Sequence, residues 1–333
     1  MDISSIPDLT LAECLQLVER YFDVGSLAKE EIDEASVLEY YQQSDRGYRL
    51  FHSKEGAMHV GLNRTRESKK QSTKESRGES SKESPEESME EFSTAVYLGQ
   101  VDLIDERLQR SSAQHVLEIG CGVGYNTRNL AQRLPRCQFT GIDLSERHVK
   151  SARREAKQLA NVDFETGNFQ QLRFEDASFD AVCAVECLCQ GSDMRAALQE
   201  AFRVLRPGGR LIVIDCFRQG QLESYDENLR LAVQLVEKTT AVNEFAVLDQ
   251  WCKDAQALGF SLSEQLNLSS ETSHNLARLY SLSRRFFKMP RAARAFLKAF
   301  PQRLLENSIS GLLMPFTVGS GAHRYCLCEL EHR

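Results

Sequence analysis

No apolar run in the chain approaches the roughly 20 residues that a helix needs to cross a bilayer, and no charged-then-apolar signal opens it. A soluble protein without a secretory leader is the expectation. C-x-x-C pairs are also absent, although the chain holds ten cysteines. Scattered through apolar segments, they read as reduced small hydrophobes and not as a disulfide frame, which points to the cytoplasm. Excess positive charge is missing as well: the net charge is -7. That argues against wholesale nucleic-acid binding and leaves local patches open. Finally, G-x-G-x-x-G, the form in which a helix start takes a dinucleotide pyrophosphate, does not occur after any strand-like run.

What is present is a close variant of that turn. In Val116-Leu117-Glu118-Ile119-Gly120-Cys121-Gly122-Val123-Gly124-Tyr125-Asn126 an apolar strand runs into three alternate glycines, the third one residue too early for a pyrophosphate loop. Without Cβ atoms a ligand can lie against the main chain. Residues 126–134 carry apolar side chains at helical spacing, so the first N–H groups of that helix point back at the ligand and favour a carboxylate. Nineteen residues after Gly124, Asp143 ends a second apolar run. In a parallel sheet its carboxylate stands beside the first turn, where it can accept from both hydroxyls of a ribose.

These residues, with Arg203-Val204-Leu205-Arg206-Pro207-Gly208-Gly209-Arg210-Leu211 further on, resemble the Rossmann-like (class I) S-adenosylmethionine (SAM) dependent methyltransferases. Within them the chain looks most like the small-molecule group that includes the sterol C-methyltransferases and the ubiquinone-menaquinone methyltransferases. The resemblance implies an α/β fold, a doubly wound and mostly parallel seven-stranded sheet, with SAM as cofactor. Glu118, Gly120, Cys121, Gly122 and Gly124 would hold its methionine end and Asp143 its ribose. Asn168 would bond the adenine amine, for which an amide is chemically suited, with Phe169 and Leu144 on the ring faces and Val185 at the neighbouring strand end.

The same resemblance extends to the N-terminal part. Residues 1–63 are expected to form a helical cap, with apolar faces over 8–22 and 29–43. There Tyr40 and Tyr41 precede His59 much as a tyrosine pair precedes an H-x-G-like element that closes over SAM in the related enzymes. The alternative is that the tyrosines only pack helices and the histidines are satisfied loop side chains. Residues 179–190 read as a buried strand with its catalytic end at 185–190; there Glu186 stands where these relatives carry an acid and Gln190 where they carry histidine. Glutamine can orient an acceptor but takes no proton near neutral pH. Glu186 is then the candidate base, or the stabiliser of a cationic intermediate, with Gln190, His59 and Tyr41 around it; its structural alternative is to bond backbone at the sheet edge.

Two further stretches stand out. Residues 64–91 hold seven Lys or Arg, eight Asp or Glu and seven Ser in 28 positions, which reads as a flexible insertion. After a core spanning 92–271, residues 272–322 read as a helical insertion before the last strand at 323–333. Its first part, 272–305, has eight Lys or Arg and no acid, interleaved with Phe286, Phe287, Phe296 and Phe300. It reads as a lid over a lipophilic or anionic acceptor, or as peripheral membrane contact through 278–303; the plain alternative is a helical lid whose cations face water.

The function expected from the resemblance is in-line methyl transfer to carbon or oxygen of a small, partly lipophilic metabolite. N-methylation of a small polar amine is the first alternative. Arsenite methylation, suggested by Cys187 and Cys189 if a strand points both thiols to one face, and a non-catalytic SAM-binding regulator follow; a nicotinamide oxidoreductase ranks last.

Overall fold

The computed structural model describes residues 2–63 and 95–333; the insertion expected over 64–91 lies outside the described residues. Seven strands, β1 (His115–Ile119), β2 (Gln138–Asp143), β3 (Val162–Thr166), β4 (Phe179–Val185), β5 (Leu205–Arg218), β6 (Phe260–Asn267) and β7 (His323–His332), form one sheet in the order β3-β2-β1-β4-β5-β7-β6. The first five are parallel, and β7 runs antiparallel between β5 and β6. This is the doubly wound, mostly parallel sheet expected. Side-chain alternation drives it: Leu117 and Ile119 enter one core, on the side of Trp251, while Val116 enters the other with Phe139 and Ile212. The strand order reverses at β1 and β4, which opens a crevice beyond their carboxyl ends.

The helices are α1 (Leu11–Glu19), α2 (Val24–Leu27), α3 (Glu34–Gly47), α4 (Gly99–Ser111), α5 (Tyr125–Arg133), α6 (Glu146–Glu155), α7 (Met194–Val204), α8 (Glu227–Thr239), α9 (Leu248–Ala257), α10 (Ser273–Lys288), α11 (Pro290–Ala299) and α12 (Gln302–Gly319). Two of the N-terminal ones differ from the apolar pattern: α1 is shorter than 8–22 at both ends and α3 is shifted toward Gly47 relative to 29–43, with caps setting both starts. Thr10 and Glu13 form a reciprocal capping box on α1, and Asp33 accepts from Ser36 N at 2.8 Å to open α3. The Pro207-Gly208-Gly209 stretch differs too. It is not a turn leading into a strand at 211 but part of β5 itself, taken up as a register shift opposite Phe179 and Ala181, with Gly208 at φ +80°.

The cap and the insertion before β7, distant in sequence, share one core. Cys14, Leu15 and Val18 of α1 pack with Ala232 and Val236 of α8, Tyr280 and Phe287 of α10, and Ile309, Leu312 and Leu313 of α12. Ion pairs Arg284–Asp8 and Arg303–Glu30 link the same segments. A single helical layer therefore stands over the crevice.

Candidate active site

The crevice holds two connected spaces. The first lies against the glycine turn. Gly120, Gly122 and Gly124 all have positive φ, and a Cβ on Gly120 would sit 2.3 Å from Cβ of Cys187, so glycine is required there. Around this turn the lining includes Cys121, Asp143, Leu144, Asn168, Phe169, Val185 and His59. The carboxylate of Asp143 accepts from Gly122 N at 2.9 Å and Ser145 N at 2.8 Å, which aims it across the turn. An acid for a diol, apolar side chains for a flat base and bare main chain for an amino-acid end fit a nucleoside such as SAM.

The second space is a cavity of about 510 Å³ between the sheet edge and the helical layer. Its walls are mainly apolar: Val236, Leu276, Phe286, Met314 and their neighbours. Polar groups gather at one end. Tyr40 donates to Asn307 Oδ1 at 2.8 Å, so the 2.7 Å contact between the Tyr40 and Tyr48 hydroxyls has Tyr48 as donor. Tyr41 donates to Gln190 Oε1 at 3.0 Å, and Gln190 Nε2 donates to the Thr240 carbonyl at 3.2 Å. The Tyr40–Tyr48 and Tyr41–Gln190 pairs both line the cavity.

Tyr41, Met58, Glu186 and Gln190 line both spaces, so these four mark where the spaces meet. Glu186 sits just past β4 at φ +48°, an uncommon conformation for a residue with a side chain. Its Oε1 accepts from Val60 N at 2.8 Å and from the Tyr325 hydroxyl at 2.6 Å, and Gln100 Nε2 donates to that hydroxyl at 3.0 Å. Burial pushes its pKa up to about 7 against these hydrogen bonds. Asp215, on β5 in the cavity wall, is raised to about 6 by burial as well. Burial pushes His52 and His59 down to about 4, leaving both rings neutral near pH 7.

Most residues singled out in the sequence converge here, but not all as expected. Glu118 does not line the first space. Its carboxylate accepts from Asn126 Nδ2 at 3.1 Å and from the Thr127 hydroxyl, bracing the turn from beneath, and burial raises its pKa to about 7. Gly124 packs behind the turn, where a Cβ would meet Phe164 at 2.7 Å, and Tyr40 faces the large cavity and not the cleft. His59 lies on the cleft side, its Nε2 3.2 Å from Asn126 Oδ1. Beyond β4, Cys187 precedes a 3-10 turn and Cys189 lies within it, and the two thiols diverge. The Cys187 thiol donates to Ile119 O at 3.1 Å, while Cys189 faces the large cavity. Cys14 is buried in the helical core, and among the described residues no group of three or more His, Cys, Asp or Glu side chains is arranged to hold a metal ion. Sequence reading gave no role to Met58, Asn307, Asp215 or Tyr325, whereas Tyr48 falls within the Tyr- and His-rich stretch around Tyr40 and His52 that offers hydroxyls to an acceptor.

Residues 116–209 match the methyltransferase domain family. With the sheet order and the cleft, that segment is similar to the class I SAM-dependent methyltransferases. An O-methyltransferase of Aspergillus sclerotiorum, resE, is 39% identical over 115 residues, 34% of this chain and 43% of that protein. The 24-methylenesterol C-methyltransferase 2 of Arabidopsis thaliana is 28% identical over 173 residues, 51% of this chain and 46% of that one. The chain thus spans less than half the length of these curated relatives. Among solved structures, geranyl diphosphate methyltransferase with geranyl diphosphate and sinefungin aligns over 90% of this chain and 98% of its own, at TM-score 0.64 and 16% identity. The [4+2]-cyclase SpnF aligns over 91% and 98%, at TM-score 0.64 and 19% identity. A cyclase on this fold means that the fold alone does not fix the reaction.

Proposed function

We propose that the protein transfers a methyl group from SAM to carbon or oxygen of a small, largely apolar metabolite. The observation that carries this is the meeting of a nucleoside-shaped cleft with an apolar cavity at Tyr41, Met58, Glu186 and Gln190. SAM supplies an electrophilic methyl on a sulfonium. In this reading Asp143 holds the ribose, Asn168 and Phe169 the adenine, and Gly120 and Gly122 the methionine end. Gln190 and Tyr41, bonded to each other, fix the acceptor in line. Placement supplies most of the rate, since effective molarities of roughly 10⁵ to 10⁸ M are available to aligned groups. With an oxygen acceptor, Glu186 takes the hydroxyl proton as the C–O bond forms; with an alkene, the same carboxylate stabilises the carbocation and then removes a proton. Ten unpaired cysteines support a reducing compartment and a cytoplasmic location.

Asp143→Ala tests the cofactor part. Loss of two hydrogen bonds to an ionised group is expected to weaken S-adenosylhomocysteine binding on the order of 100-fold by calorimetry; unchanged affinity would place the cofactor elsewhere.

A further inference from the structure

The described chain exposes six large apolar side chains: Leu38, Leu50, Leu282, Met289, Phe296 and Phe300. Four of them, Leu282, Met289, Phe296 and Phe300, line the large cavity. They are 40% to 57% exposed, so they form its rim: Leu282 on α10, Met289 between α10 and α11, Phe296 on α11 and Phe300 just after it. Such a concentration at one opening marks an interaction surface.

The charge around this rim identifies the partner. Of the eight cations in 272–305, Arg284 is paired with Asp8, Arg303 with Glu30 and Glu306, and Arg278 reaches the Tyr97 hydroxyl. The other five, Arg285, Lys288, Arg291, Arg294 and Lys298, are exposed and make no ion pair among the described residues. At 100° per residue, Arg291, Arg294 and Lys298 share one stripe of α11, and Ala292, Ala293, Phe296 and Phe300 occupy the opposite side. Ala293 is fully buried and Phe286 meets Phe296 at 6.4 Å between ring centres, so α11 is seated on the fold while its aromatic edge faces out. In a chain of net charge -7, α11 carries three cations and no acid.

We propose that this rim docks on an anionic phospholipid surface, so that the cavity opens toward the bilayer and takes its acceptor from it. Phe296, Phe300, Met289 and Leu282 enter the region between headgroups and acyl chains, and the five cations remain at the headgroups. A nucleic acid would meet the cations but leave the apolar rim unmatched. The docking stands on the surface alone; the route for the acceptor rests on the methyltransferase reading above.

The full chain is sedimented with vesicles of phosphatidylcholine alone and of phosphatidylcholine with about one-third phosphatidylserine. Binding is expected only to the second, and should weaken as salt is raised. The triple variant Arg291→Gln, Arg294→Gln, Lys298→Gln, none of which lines either space, should bind on the order of 100-fold more weakly, with S-adenosylhomocysteine affinity unchanged. Phe296→Ser with Phe300→Ser should weaken binding by roughly 10-fold or more. With a cellular lipid extract as acceptor, methyl transfer from anionic vesicles should fall in the triple variant in step with binding, whereas transfer from detergent micelles should not change. No binding to anionic vesicles, equal binding by the triple variant, or duplex DNA held as tightly as those vesicles would overturn the docking. Vesicle binding without any methyl transfer, in micelles as in vesicles, would overturn the enzymatic reading and the acceptor route and leave the docking standing.

Discussion

Glu186 is the residue on which the proposed methyl transfer turns. Its backbone is held at positive φ, its Oε1 is occupied by Val60 and Tyr325, and its pKa is raised to about 7 by burial. Above that value it is an anion able to take a proton; below it the proton is already present. For an oxygen acceptor the rate should therefore rise with pH through about 7, and Glu186→Gln should cut kcat roughly 10² to 10⁴-fold with little change in S-adenosylhomocysteine affinity. An amine acceptor that arrives neutral would behave differently, with activity following the amine's own pKa and surviving the substitution. The sign for stability is opposite. Because the folded pKa lies above the unfolded one, wild type loses stability between the ordinary carboxylate range and about pH 7, and Glu186→Gln does not. The glycines, Asp143 and Glu186 were legible in the sequence, since a strand running into glycines fixes where neighbouring strand ends stand. Asn307 and Tyr325 were not, because nothing local to them says which cavity they will face.

At the scale of elements, α3 and α12 meet in a polar contact. Asn307 accepts from Tyr40 and donates to the Ser44 hydroxyl at 3.1 Å, and Gly47 lies so close to Leu304 that a Cβ would fall 2.1 Å from its Cδ1. Asn307→Leu leaves the buried Tyr40 hydroxyl without its acceptor, at about 1–3 kcal/mol in thermal or denaturant unfolding. The expected kinetic signature is a raised KM for the acceptor with the cofactor affinity intact, because the contact borders only the large cavity. Amphipathic periodicity made these helices visible in the sequence but not their shared layer. A period shows that a face is buried without showing against what, and α1 finds its partners in α8, α10 and α12. Where caps override periodicity, as Asp33 does for α3, helix starts shift by several residues.

Over the whole molecule, a buried ionic group pins the helical layer to the sheet. Glu237 on α8 is fully buried, binds Arg218 of β5 in a two-pronged pair, and lies 3.3 Å from His323 Nε2 at the start of β7. Burial acts to raise its pKa, but His323 and Arg218 outweigh that and hold it below its ordinary value. Its contribution is thus present above the ordinary carboxylate pKa and is lost as pH falls through the lower folded value. Glu237→Ala leaves Arg218 buried beside only the exposed Glu244 and should cost about 3–5 kcal/mol of unfolding free energy, visible as a lowered denaturant midpoint.

Methyl transfer into a lipophilic acceptor is tested most directly with methyl-labelled SAM, the full chain and whole-cell extract, the products being partitioned between organic solvent and water. Label is expected in the organic phase, disappearing with Asp143→Ala and falling sharply with Glu186→Gln. Label confined to the aqueous phase, or none in either, would contradict such transfer.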